Sequence, residues 1–285
     1  MDIESLFSGF TLSRFLEEHL HRLPFALHET AASVTKLASW EVLETIVSGG
    51  NADALLVRDA DCRPVPNSWR LPDLQLASED GWTIRVRHAQ NHCQSIKEVA
   101  AAFEQTFRGP ADVHIYVTPP GKQGLSWHYD AEDVFILQTS GEKEYLLRKN
   151  TVNPWPLVET MPRDMQYERE LMPLSRVLLG AGDLLYIPCG YWHRTESPST
   201  TTVAAISLAV GVMSRTATDL LPLMRAKFVD SLVWRQRLPV GSETDRRERM
   251  RTMLAQVAND AARILNSEAF LEETLRLIEG RDQKT

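Results

Sequence analysis

The hydrophobic positions change their period twice along the chain. Through about residue 110 they recur three and four apart, as at Leu12, Phe15, Leu16, Leu20 and Leu23, the spacing of helices that bury one face. A second such run, Trp40 to Val47, closes at Gly49-Gly50, and Ser95-Ile96-Lys97-Glu98 has the capping-box pattern at the head of an amphipathic stretch ending at Phe107. From Ala111 the pattern becomes a series of short β-rich segments, separated by Pro119-Pro120-Gly121, Ser140-Gly141, a proline-containing insert and Gly180-Ala181-Gly182-Asp183, and closing at Thr201–Val212. Many short strands between turn signals predict a sandwich or barrel. After Ser214 the helical period returns at Leu220, Leu221, Met224, Phe228 and Leu232, then from Met250 to Leu265 and from Phe270 to Ile278. The expected organisation is a helix-and-strand preface over 1–110 packed on the barrel, a β core over 111–214 and a helical segment over 215–285.

A length of 285 residues suits one substantial domain with an appendage. With 31 Lys+Arg against 38 Asp+Glu, the net charge of −7 offers no general attraction to nucleic acid. The run Arg246 to Arg251 reads as a solvated helix face. The three cysteines, Cys62, Cys93 and Cys189, form no C-x-x-C pair, which argues against a disulfide framework or thiolate zinc site and for a reducing, cytoplasmic setting. The N-terminus lacks the basic start and unbroken apolar stretch of a signal peptide, and no later segment approaches the ~20 apolar residues of a membrane span.

The sharpest local signal is Trp127-His128-Tyr129-Asp130. On an extended strand, residues i and i+2 share a face, so His128 and Asp130 can converge on one point. Downstream, Gly182 to His193 reads as a turn, an apolar strand, a Pro-x-Gly turn and a histidine flanked by aromatics, which can reach the same barrel mouth. Two histidines and one carboxylate on one side of a metal make the facial triad of non-haem Fe(II), with positions left open for co-substrate and oxygen. His88, His92 and Cys93 also cluster in sequence but lack a matching distal pair and read as loop. His19, His21 and His28 read as surface or packing residues, and Trp127, Trp155, Tyr191 and Trp192 as candidates for a substrate groove.

The stretch from Tyr116 through His128 and Asp130 to Lys143, with Gly182–His193, resembles the JmjC-type 2-oxoglutarate oxygenases, specifically the cupin-4 branch that contains the ribosomal-protein hydroxylases. Phe15–Phe25 and Ser39–Glu44 resemble that branch's opening, so the likeness covers about residues 10–214. It implies a mainly β fold with flanking helices, a double-stranded β-helix, with Fe(II) held by His128, Asp130 and His193. It implies 2-oxoglutarate as co-substrate with O2, the distal carboxylate taken by Lys143 with help from Tyr116 and, on the last strand, Ser207. The implied reaction is hydroxylation of a peptide or protein side chain with release of succinate and CO2. Readings that keep the same barrel are an N-demethylase, a small-molecule hydroxylase and a non-catalytic ligand-binding cupin. The helical tail is expected to join two subunits. Branch members acting on ribosomal proteins carry a winged-helix domain after these helices, whereas only about seventy residues follow the barrel here, which points to a shorter peptide rather than the intact ribosome. The insert 150–170 reads as a loop over the site.

Overall fold

A computed structural model describes residues 2–58, 61–162, 165, 167 and 171–279. The chain forms two units, Met1–Ser214 and Arg215–Thr285. In the first, an eight-stranded sheet and a three-stranded sheet face one another across a barrel interior. The large sheet has the order β1-β9-β6-β11-β5-β4-β2-β3 and the small one β10-β7-β8. The strands are β1 (Phe25–Leu27), β2 (Asp53–Arg58), β3 (Asp61–Pro64), β4 (Thr83–Arg87), β5 (Ala111–Thr118), β6 (Asp133–Ser140), β7 (Lys143–Arg148), β8 (Ser175–Leu179), β9 (Leu184–Ile187), β10 (Trp192–Glu196) and β11 (Ala205–Val212). Every pairing in both sheets is antiparallel.

The nearly unbroken apolar runs of β6 and β11 arise because both faces of the large sheet are covered. On one face Phe135, Leu137, Ile206, Leu208, Val210 and Val212 join the core packed under the helices; on the other Val134, Ile136 and Ala209 join Tyr145, Leu147, Leu179 and Leu185 inside the barrel. Two-residue alternation thus sorts one strand into two cores. On β5 the same alternation puts Val113, Ile115 and Val117 into the helix-side core and leaves Asp112, His114 and Tyr116 on the barrel side.

The helices of this unit are α1 (Leu12–Glu18), α2 (Trp40–Ser48), α3 (Leu71–Glu79) and α4 (Gln94–Phe107). On α4, Ile96, Val99, Ala100 and Phe103 are buried at helical spacing, and each large apolar side chain so covered stabilises the fold by roughly 1.5–3 kcal/mol. Two expectations need local correction. The cap of α4 is Cys93 rather than Ser95, whose hydroxyl lies 3.2 Å from the Cys93 thiol. The first helix ends at Glu18, before Leu20 and Leu23, because His21 turns into the left-handed region at φ 60°. The strands β1 to β4 of the preface are hydrogen-bonded members of the large sheet itself.

Asp133, at the start of β6, ties this architecture together. Buried at 1% exposure, it accepts from Tyr186 Oη at 2.5 Å and Ser214 Oγ at 2.7 Å, and pairs with His21 Nδ1 at 2.9 Å. These bonds hold its carboxyl below the usual range despite burial, while the same contact raises His21. His28 similarly meets Asp183 at 3.2 Å, so both histidines serve packing and pairing.

The second unit contains α5 (Leu221–Asp230), α6 (Glu243–Leu265) and α7 (Glu268–Ile278). Among its described residues only Phe270 is buried. No helix among the described residues is long and apolar enough to cross a membrane.

Candidate active site

His128 lies on no regular strand. It sits in the irregular segment before β6, bridged to His193 on β10 by reciprocal backbone bonds, His128 N to His193 O at 3.0 Å and His193 N to His128 O at 2.8 Å. That ladder rung places the two imidazoles side by side, with centroids 4.1 Å apart. Asp130 is positioned by a third backbone bond, in which Gly190 N donates to Asp130 O at 2.9 Å. Gly190 has φ 78° and a Cβ there would lie 2.5 Å from Pro154 O, so this turn requires glycine. The Pro-Cys-Gly turn therefore both launches the strand that carries His193 and holds the loop that carries Asp130.

Asp130 Oδ2 stands 3.4 Å from His193 Nε2 and 4.0 Å from His128 Nε2. The other ring nitrogens are engaged: His128 Nδ1 lies 2.7 Å from Ser126 O and His193 Nδ1 3.0 Å from Tyr191 O. A carbonyl can only accept, so each Nδ1 carries a proton, and Nε2 is the nitrogen each ring turns toward Asp130 for metal binding. This is the tautomer a metal-binding imidazole needs, set by the outer hydrogen bond. Burial, together with neighbouring His128, pushes His193 down to about 4, so its imidazole is neutral at pH 7. Two imidazole nitrogens and one carboxylate, all within 4.8 Å of one another, fit a divalent iron centre.

The triad opens into a cavity of about 250 Å³ that also contains Lys143, Tyr116, Tyr145, Thr195 and Glu132. Lys143, at the head of β7, is 3% exposed, and its Nζ lies 5.4 Å from the Tyr116 ring and 5.8 Å from the Tyr145 ring. Burial alone pushes the amine down to about 7. An amine this enclosed, with no ion-pair partner among the described residues, is a receptor for an anion. Tyr116 lines the same cavity, its hydroxyl shared with Arg85 and with His114 Nδ1 at 3.3 Å. Ser207 stands behind the wall: its Oγ donates to Gln138 Oε1 at 2.8 Å and its hydroxyl meets that of Tyr145.

Glu132 was not anticipated from the sequence. Burial, with Asp130 and Asp112 nearby, raises it to about 7. It enters the cavity across Gly211, where a Cβ would meet Glu132 Oε2 at 2.1 Å. Of the proposed groove aromatics, Trp155 is 78% exposed and Trp192 is buried edge-on against Tyr129. Neither lines the cavity. Within the insert, residues 163, 164, 166 and 168–170 lie outside the described residues. Met165 Sδ accepts from Tyr129 N at 3.1 Å and Tyr167 stacks on Trp127 at 4.4 Å, so the insert touches both neighbours of His128. His92 and Cys93 lie away from this site, lining a separate recess with Glu41 and Thr45.

A double-stranded β-helix with two histidines and a carboxylate at its mouth defines a cupin-type barrel whose mouth could hold a metal ion. Residues 85–220 match the JmjC domain family. The bifunctional lysine-specific demethylase and histidyl-hydroxylase NO66 of Dictyostelium discoideum is 35% identical over 125 residues, covering 42% of this chain and 24% of that protein. The NO66 of Drosophila melanogaster is 28% identical over 165 residues, covering 56% and 25%. The chain thus spans about a quarter of the length of these curated relatives. The ribosomal oxygenase YcfD from Escherichia coli, solved with cobalt and 2-oxoglutarate, superimposes with a TM-score of 0.60 at 16% identity over 97% of this chain and 73% of that one. That likeness establishes the shared fold.

Proposed function

We propose that the protein is an Fe(II)- and 2-oxoglutarate-dependent dioxygenase that hydroxylates a C–H bond in one residue of a peptide or protein and releases succinate and CO2. One observation carries the reading: the buried amine of Lys143, with no ion-pair partner among the described residues, lines the same cavity as the His128, Asp130 and His193 triad. A metal-binding cupin without catalysis has no need of that second feature. The names of relatives and fold neighbours, a histidyl-hydroxylase and a ribosomal oxygenase solved with 2-oxoglutarate, support the same chemistry.

In this reading His128 Nε2, Asp130 and His193 Nε2 hold Fe(II), which with 2-oxoglutarate and O2 supplies the oxidant for C–H hydroxylation. The residues do the rest. Ser126 O and Tyr191 O keep both imidazoles in the ligating tautomer. Lys143 takes the distal carboxylate of the co-substrate, and Tyr116 lies beside that pocket. Ser207 keeps the Tyr145 hydroxyl in place. Leu125, Val134, Ile136 and Ala209 supply apolar wall. Glu132 and Asp112 line the same cavity beside the triad.

Protein incubated with Fe(II), 2-oxoglutarate and candidate peptides or isolated ribosomal proteins should form succinate in a peptide-dependent manner and add the mass of one oxygen atom to the peptide. Release of formaldehyde with loss of a methyl group would instead make it a demethylase. Oxidation confined to free small metabolites would overturn the substrate class, and absence of succinate under every condition would overturn the enzyme.

We also infer a homodimer joined by the second unit. Leu254, Leu271, Leu275 and Ile278 are each more than two-fifths exposed on α6 and α7, and the unit buries almost nothing by itself. A second copy supplies the missing cover through a two-fold contact. Light scattering at micromolar concentration should give twice the monomer mass, and Leu271→Asp combined with Leu275→Asp should halve it; a monomeric parent protein would refute the inference. The unpaired cysteines fit a reducing, cytoplasmic location.

A further inference from the structure

The strand β5 carries a second i/i+2 pair of ligating side chains, Asp112 and His114, on the barrel side. His88, just past the end of β4, folds back onto it in the left-handed conformation at φ 52°. His88 Nδ1 lies 2.9 Å from the Asp112 carboxylate and His114 Nε2 lies 3.0 Å from Asp112 Oδ2. We propose that His88, Asp112 and His114 form a second divalent metal site, of the zinc class, at the rim of the same cavity.

Three features beyond proximity support an ion here. The first is the donor set: two imidazole nitrogens and one carboxylate, all within 4.8 Å of one another, are the ligands of an open tetrahedral zinc site, leaving a fourth position to solvent. The second is the outer shell. Gln90 Nε2 donates to Asp112 Oδ1 at 2.9 Å, and Gln90 is itself fixed by Val113 N donating to its Oε1 at 2.9 Å. His114 Nδ1, the nitrogen turned away from Asp112, meets Tyr116 Oη at 3.3 Å. Gln90 thus holds Asp112 through Oδ1 and leaves Oδ2 facing His114 Nε2, while Tyr116 holds His114 through Nδ1, as outer-shell partners orient zinc ligands. The third is access, since the His88 side chain is 47% exposed and provides an entry path.

Metal–nitrogen bonds of ~2.0–2.1 Å in a tetrahedron separate ligand atoms by about 3.3 Å. An ion therefore needs the two histidine-to-Asp112 spacings to open by a few tenths of an ångström, which an exposed His88 at a strand end can accommodate. Asp112 and His114 line the cavity wall near Glu132, so an ion here would remove negative charge from the substrate side without occupying the first triad. Borderline nitrogen-and-oxygen ligation favours Zn(II), with Co(II) as its spectroscopic substitute.

The test is a titration of the metal-stripped full-length protein with Co(II), followed by visible absorption and by native mass spectrometry after desalting. Wild type should take up two ions per protomer. His88→Ala and Asp112→Asn should each take up one, with the remaining ion at the first triad reporting an intact fold. His128→Ala should keep the second ion and lose the first. Gln90→Ala, which touches no ion, should weaken the second site by ~10–100-fold. One ion in wild type, with His88→Ala and Gln90→Ala titrating identically to it, would overturn the second site. One ion that is lost in His88→Ala and retained in His128→Ala would uphold the second site while overturning iron at the first. No uptake by wild type would overturn both.

Discussion

Asp130→Ala should strip the protein of bound iron and abolish succinate formation while leaving the fold in place. The triad has only three protein donors, and Asp130 is the one that brings negative charge. Loss of an outer-shell partner alone lowers metal affinity by ~10–100-fold, so loss of this ligand should exceed that range. The structural consequence is small. The Asp130 side chain is 37% exposed, and the bond that organises its loop is made by its backbone carbonyl to Gly190 N, which alanine keeps. Removing it also relieves like-charge repulsion on Glu132, one of the causes that raise that carboxyl. Iron content after dialysis and succinate formation would be measured together, with circular dichroism as the control for folding. An alanine variant that retains tight stoichiometric iron would show that the metal is bound elsewhere.

Much of this site is legible in the sequence because its chemistry lies in short motifs. His128-x-Asp130 and the turn-strand-turn before His193 point to the three residues of the triad. Their convergence has a different cause from the one the spacing suggests: a backbone bridge to His193 aligns His128, not the pleat of a regular strand. The barrel strands are legible through their apolar runs, whereas membership of β1 to β4 in the large sheet depends on pairings such as Arg85 with Tyr116, which no local period encodes. Glu132 escaped notice because its place in the cavity depends on a bare Gly211 on a strand about eighty residues away. The Asp112-x-His114 pair carries the same two-residue signal as His128-x-Asp130 and could have been found by it. It was obscured because its third member, His88, joins it from the neighbouring strand's end rather than through adjacent His92 and Cys93. Ser207 shows the converse: its place on the last strand is legible, but the hydroxyl's partners are buried side chains, Gln138 and Tyr145, which strand position alone does not reveal.

Lys143→Met should raise the 2-oxoglutarate requirement by about one and a half to three and a half orders of magnitude, as expected when one partner of a desolvated charge pair is removed at ~2–5 kcal/mol, and should leave iron binding unchanged. Methionine nearly matches the length of the lysine stem and has no charge to bury, so the variant should be at least as stable as the parent at neutral pH. The pH dependence gives an independent readout with a definite sign. In the free protein the amine is held down to about 7 from its ordinary 10.5 by burial. Between those values the unfolded state binds more protons than the folded one, so this group makes stability rise with pH across that window, a slope that Lys143→Met should remove. Binding acts in the opposite direction. A carboxylate beside Nζ favours the ammonium and raises its pKa, so above about pH 7 each binding event takes up a proton and affinity falls by up to ~10-fold per pH unit. Calorimetric titration of the metal-loaded protein under anaerobic conditions, in buffers of different ionisation enthalpy, counts that proton directly. Affinity that stays flat above neutrality, with no proton taken up and no change in Lys143→Met, would place the co-substrate carboxylate on another residue.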